Sequence, residues 1–252
     1  MLAMSNGIVI LSLIIILVLK IDAREMSLVD DVKAVDDKTL NFYKHPNEES
    51  GDMDIGGMAW YKENLAKSAG LKIAFKPKIT VDSNYYGLKK YPQGFAFVLS
   101  SNSILGEMGD KKSGLGFEGI NNAISFYFDF IQNNDRNESS DPHFSVAYEL
   151  AGEIKATCKE QNLCNLPIPN FYDNELDGFE ENMKISIEIY GGRIKVYFNS
   201  NKAAIDEKFT AYSDLMNSRN VYLGISSSMN LYKGVKIEDI EIMKSIIFPL
   251  II

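Results

Sequence analysis

The chain has little of what marks several whole classes of protein. Of its 252 residues only two are cysteine, so a small disulfide knot is excluded and the core must come from apolar packing. Two histidines, His45 and His143, leave a structural zinc cluster short of ligands. With 18 Gly and 7 Pro a collagen-like chain is excluded. Basic residues are in deficit, 26 against 34 acidic ones for a net charge of −8, which argues against nucleic acid as a partner. Neutral and cationic partners stay open. The longest apolar stretch, Gly7–Leu19, is too short for a comfortable membrane span.

What is present is a 46% hydrophobic, 11% aromatic chain that can bury a substantial core. Gly7–Leu19 fits the apolar region of a signal peptide, and the small Ala23 suits a cleavage site. Residues 1–23 are therefore expected to be a signal peptide, with an uncleaved anchor as the alternative, and the protein to be secreted or at the cell surface. Cleavage removes one cation, Lys20, and one anion, Asp22, so the acidity belongs to the mature chain. Residues 24–39 read as an acidic polar leader, with a strand near Leu40–Tyr43. In an oxidising lumen Cys158 and Cys164 are expected to pair across a short loop, two free thiols being the alternative. Asn137-Glu138-Ser139 is an N-glycosylation acceptor. The tail 245–252, S-I-I-F-P-L-I-I, reads as a last strand, the start of a membrane segment or an oligomer contact.

Beyond the leader, period-two patterning dominates. Leu71, Ile73 and Phe75 alternate with Lys72, Ala74 and Lys76. Met183 to Phe198 alternates on both sides of Gly191-Gly192, the pattern of a hairpin with a two-glycine turn. Gly94–Leu99 is apolar on both faces, hence a central strand covered on both sides. Apolar parity changes between Val235-Ile237 and Ile240-Ile242, which predicts a bulge near Glu238–Asp239. Many short strands without intervening helices predict an all-β, antiparallel β-sandwich, one domain over residues 40–244.

Several segments, in order, are more specific: G-G-M-A-W-Y-K-E-N at 56–64, G-F-A-F-V-L-S at 94–100, the glycine-rich 105–124, S-F-Y-F-D-F-I-Q-N-N at 125–134 with Asp141-Pro142-His143 beyond, and L-G-I-S-S-S at 223–228. Together they resemble the L-type lectins, the group of legume seed lectins and mannose-binding cargo receptors. The resemblance implies a concanavalin-like jelly roll with calcium (Ca2+) beneath a shallow sugar pocket. It implies that Asp129, the carbonyl of Ile131, Asn133 and Asp141 hold the ion; Ca2+ takes carboxylate, amide and carbonyl oxygens, and this stretch offers all three. It further implies sugar contacts from Gln93, a backbone amide near Gly114, Asn133 and the last loop through Asn230 and Leu231. Tyr85 and Tyr86 are either a stacking face or edge packing.

Two departures matter. Tyr127 stands where legume members carry a glutamate ligand for a transition metal, which argues against a second metal and makes His143 a packed or partner-facing residue. Gln93 stands where the family has an aspartate, and a neutral amide lacks the charge-assisted strength of a carboxylate. No acid pair of the glycosidase type appears, and neither histidine has a nucleophile nearby in the pattern of a triad, so no enzymatic activity is expected. The expected function is calcium-dependent binding of glycans or glycoproteins, of mannose type. The alternative is a degenerate lectin fold that serves as a protein-binding or adhesion module.

Overall fold

A computed structural model describes residues 10–19, 22–42, 55–81, 93–102, 108–109, 115–130, 142–149, 166–169, 171–172, 178–179, 182–200, 202–229 and 233–251. Two antiparallel sheets face each other. The front sheet runs, edge to edge, Leu166–Pro167, His143–Glu149, Ala123–Asp129, Gly94–Ser100, Tyr222–Met229, Ile55–Tyr61 and Ser27–Asp30. The back sheet runs Ile205–Lys208, Arg193–Phe198, Ile185–Tyr190, Gly70–Val81, Lys233–Ile251, Thr39–Phe42 and Val32–Asp36. Ile10–Leu19 also pairs with the long strand Lys233–Ile251. The architecture is the all-β sandwich expected from the alternating pattern.

Inward positions of both sheets build one core. Phe95 stacks on Phe128 with ring centroids 4.7 Å apart, and Phe75 meets Phe97 at 4.5 Å from the opposite sheet. Each such ring contributes about 1.5–3 kcal/mol by leaving water. The front sheet is also covered on its outer side, where Met58, Trp60, Ala96, Val98, Ile120 and Ala123 form a second cluster with Phe117 and Tyr127 against it. Every residue of Gly94–Ser100 is buried, which is why that strand has no polar face.

The finer expectations also hold. Gly191 and Gly192 carry φ of 59° and 72°, both positive as a type I′ hairpin turn requires. The register of Lys233–Ile251 against Gly70–Val81 shifts between Glu238 and Glu241, with Asp239 at φ 51°. Two readings differ. The acidic stretch 24–39 is not a leader: Ser27–Asp30 is an edge of the front sheet and Val32–Asp36 an edge of the back sheet. Met26 and Val32 reach the core while the acids stay at turns and exposed positions, so runs of four or five residues hid the alternation. The six-residue helix Ala211–Met216 was likewise too short to leave a periodic stripe. For the tail, the strand reading is the observed one: Ile242–Ile251 pairs residue by residue with Leu19–Ile10, bringing the two apolar runs together.

The outer face of the back sheet is wet and charged. Register aligns Lys33, Asn41, Lys236 and Lys78 in one row, and Lys72, Glu188, Lys195 and Asp206 in another. Glu238 bridges Lys78 at 2.7 Å and Lys236 at 2.6 Å, Lys76 meets Asp239 at 2.8 Å, and Arg193 meets Asp206 at 2.7 Å. Partial burial raises the Glu238 pKa, but the hydrogen bonds from Lys236 and Lys78 outweigh it and hold the carboxyl below its ordinary value. A depressed folded-state pKa gives stability that is present above the unfolded value and is lost as pH falls through the folded one. Thermal melts should therefore show Glu238→Gln less stable than wild type at pH 7, the gap closing as pH falls below the ordinary glutamate range.

Candidate functional site

The two described residues of the site expected from sequence, Gln93 and Asp129, fall at one end of the front sheet. Cross-strand register places His143, Asp129, Gly94 and Ser228 in a single row on four adjacent strands. Phe126, Phe128, Phe144 and Val146 point into the core. By alternation Asp129 and His143 then project together from the outer face, where directly opposed Cβ atoms lie about 5 Å apart. Both are almost wholly buried, at 1% exposure. His143 is thus a packed residue, its ring edge-on to Tyr127 at 6.5 Å, and not a partner-facing one.

Gln93 enters the row from the side. Its backbone N–H donates to the Ser228 carbonyl at 3.1 Å and its carbonyl accepts from Phe130 N–H at 2.9 Å, so it is clamped between the two strand ends. Its side-chain Oε1 accepts from the Ser228 hydroxyl at 3.3 Å, and its amide nitrogen donates to no described residue. The approach depends on Gly94: at φ 154°, any Cβ there would collide with the carbonyl oxygen of Phe128. The glycine-rich segment docks beside this rim, since the Ser226 hydroxyl donates to the Leu115 carbonyl at 2.8 Å and Gly109 N–H to the Gly116 carbonyl at 2.9 Å. Ser227 turns the other way and donates to the Gly94 carbonyl at 2.8 Å.

The structure thus brings together Gln93 and Asp129 of the predicted set. Gly114, Ile131, Asn133, Asp141, Asn230 and Leu231 lie outside the described residues, as do Tyr85, Tyr86, Asn137, Cys158 and Cys164. Their attachment points are described: the chain leaves the rim at Phe130 and re-enters it at Pro142, and Leu115 and Met229 flank the other two positions. Sequence reading put Ser228 among the short hydroxyls of the last loop but missed its hold on Gln93; the signal was the alternation inside S-S-S, which sends Ser226 and Ser228 outward and Ser227 inward.

Of the donor types that calcium takes, the described residues supply one, the carboxylate of Asp129. Asp129 is a buried carboxylate, an acceptor that a low-dielectric site tolerates only with compensating donors or a cation. No third His, Cys, Asp or Glu joins Asp129 and His143 among the described residues. Two residues before Asp129, Tyr127 packs its ring on Phe117 at 5.2 Å instead of offering a ligand.

No protein-family model matches the chain, and no curated protein sequence does. Solved structures do match. A lectin from Bauhinia forficata in complex with GalNAc superposes with a TM-score of 0.62 at 10% identity, over 92% of this chain and 98% of that one. The winged bean acidic lectin complexed with methyl-α-D-galactose gives 0.59 at 15% identity, over 94% and 99%. The potassium-bound carbohydrate recognition domain of Emp46p gives 0.52 at 12% identity, over 88% of each. At such identities the likeness establishes the fold, the concanavalin-like jelly roll of L-type lectins.

The clamp makes a specific stability forecast. Gly94→Ala should lower the urea-unfolding free energy by roughly 2–4 kcal/mol, because backbone strain and a steric collision act together. Gly191→Ala, where a Cβ meets nothing within 4 Å, should cost only about 1 kcal/mol for its positive φ. Equal losses would show that Gly94 is not a point of close approach.

Proposed function

We propose that the chain is a calcium-dependent carbohydrate-binding protein, a lectin for mannose-type glycans on glycoproteins, working in the secretory pathway or at the cell surface, and not an enzyme. The observation that carries this reading is the rim row: a buried carboxylate, Asp129, beside an inward-clamped Gln93 whose amide nitrogen is open. The fold is shared with lectins crystallised with methyl-α-D-galactose and with GalNAc, which supports a carbohydrate as the ligand.

Calcium in this setting supplies a fixed hard cation for oxygen donors. Asp129 holds the ion from the strand end, with the Ile131 carbonyl, Asn133 and Asp141 from the segment anchored at Phe130 and Pro142. Gln93 donates its amide N–H to a sugar hydroxyl, with further donors from Gly114, Asn133, Asn230 and Leu231. The affinity is expected to be modest, because a neutral amide replaces a carboxylate and its oxygen is shared with Ser228.

One observation favours a second reading. The Ser228 hydroxyl already donates to Gln93 Oε1 and leaves one of its two lone pairs for a sugar, which suits a module that has exchanged sugar for a protein partner. A glycan array with calcium separates the two: signal on mannose-type glycans supports the lectin, silence the module. Gln93→Asp should strengthen mannose binding about tenfold if the remaining pocket is intact. Saturating calcium should raise the Tm of wild type by about 5 °C and leave Asp129→Asn unmoved; no shift in wild type contradicts the metal site.

The secretory reading has its own check. In the full chain Ala23 is buried and its N–H donates to the Asp37 carbonyl at 2.8 Å, contacts that are lost with Ala23 when the chain is cleaved after it. Edman sequencing of protein collected from a eukaryotic secretory host should begin at Arg24. A chain retaining Gly7–Leu19 contradicts cleavage and supports an anchor.

A further inference from the structure

The back sheet carries a feature that the rim does not use. On its outer face long side chains surround two small ones: register aligns Ala74 with Ser186 and Ser186 with Tyr197, while the neighbouring row holds Lys72, Glu188 and Lys195. The face therefore dips at Ser186 into a recess of about 560 Å³, walled by Lys72, Lys184, Glu188, Tyr197, Asn199 and Ser200. Asn199 is fixed there: its Oδ1 accepts from Lys184 N–H at 2.6 Å and its N–H donates to the Lys184 carbonyl at 2.9 Å.

The electrostatics of this face run against the rest of the chain. The net charge is −8, yet lysines and arginine outnumber acids here. The acids are engaged: Asp206 by Arg193 and Lys195, Glu238 by Lys78 and Lys236, Asp239 by Lys76. At the recess the pairing is thinner. Lys72 holds Glu188 at 2.6 Å, but Lys184, 53% exposed, meets Glu241 only at 3.7 Å. A loosely paired, half-exposed cation thus sits at the mouth of a pocket lined by hydroxyls, an amide, one aromatic ring and the Lys72–Glu188 pair.

We propose that this recess binds a negatively charged saccharide, one bearing carboxylate or sulfate groups, at a site separate from the rim. Lys184 and Lys72 meet the anionic group by charge-assisted hydrogen bonds. Ser186, Ser200 and Asn199 meet hydroxyls, and the Tyr197 ring lies against the C–H face of the sugar. A neutral sugar gains nothing from the two lysines. A nucleic acid needs a longer track of phosphate contacts than a single recess between neighbouring strands provides.

The test is calorimetric titration of the full chain with trigalacturonate and with its methyl ester, in EDTA so that the calcium rim is not engaged. The acid should bind and the ester should not, with affinity falling as salt rises from about 0.05 to 0.5 M. Lys184→Gln and Lys72→Gln should each weaken binding about tenfold, whereas Lys33→Gln with Lys208→Gln, on the same face outside the recess, should change it less than threefold. Ser186→Leu, which fills the recess and leaves the charge intact, should abolish binding. Failure of the acid to bind, equal binding of acid and ester, or equal losses for the inner and outer lysine variants overturns the proposal. Because calcium is absent, these outcomes are independent of the mannose reading.

Discussion

The strand Gly94–Ser100 is buried on both faces, and the positions of the other functional parts follow from that constraint. Its inward side chains, Phe95 and Phe97, lock it to the aromatic core, and its outward Ala96 and Val98 lie under the second cluster with Met58 and Trp60. A strand held from two sides cannot slip register without moving a whole apolar set into the wrong layer. Its first residue is then fixed opposite Asp129 on one neighbour and Ser228 on the other. Gly94 makes the junction sterically feasible, and Gln93 is clamped as a result. The rim is precise because the core beneath it is overdetermined.

The two sheets have divided the electrostatic work. Among the described residues the front sheet buries one carboxylate, Asp129, where a desolvated charge gains most from a bound cation or strong donors. The back sheet spreads its charges over a solvated face, where each pair is worth little alone and a lattice of them mainly sets the local potential. That lattice is positive in an acidic protein. The net charge is therefore a poor guide to what either face binds.

Legibility from sequence followed the strength of the local signal. Alternation was clear in Met183–Phe198 because two glycines interrupt it at the turn, and the bulge at Glu238–Asp239 announced itself as a change of parity. Ser27–Asp30 and Val32–Asp36 were missed because four or five residues with an exposed Leu28 and Val35 give no usable period. At the rim, Gln93 and Asp129 were legible through ordered motifs, and strand alternation correctly set Asp129 on the face away from Phe126 and Phe128. The Ser228–Gln93 contact spans 135 residues and depends on strand order, which local patterning does not encode. The pocket recess on the back sheet has the same origin: Ala74, Ser186 and Tyr197 become neighbours only when three strands align.

The claim on which the rest stands is that ligand is read at the end of the front sheet where Gln93 and Asp129 meet. Amide chemical-shift mapping of the 15N-labelled protein, titrated with a mannose-type oligosaccharide in saturating calcium, addresses it residue by residue. The shifts should concentrate at Gln93, Gly94, Asp129, Phe130 and Ser228, with the back-sheet strands unmoved. Shifts centred elsewhere, or none at saturating sugar, would contradict it.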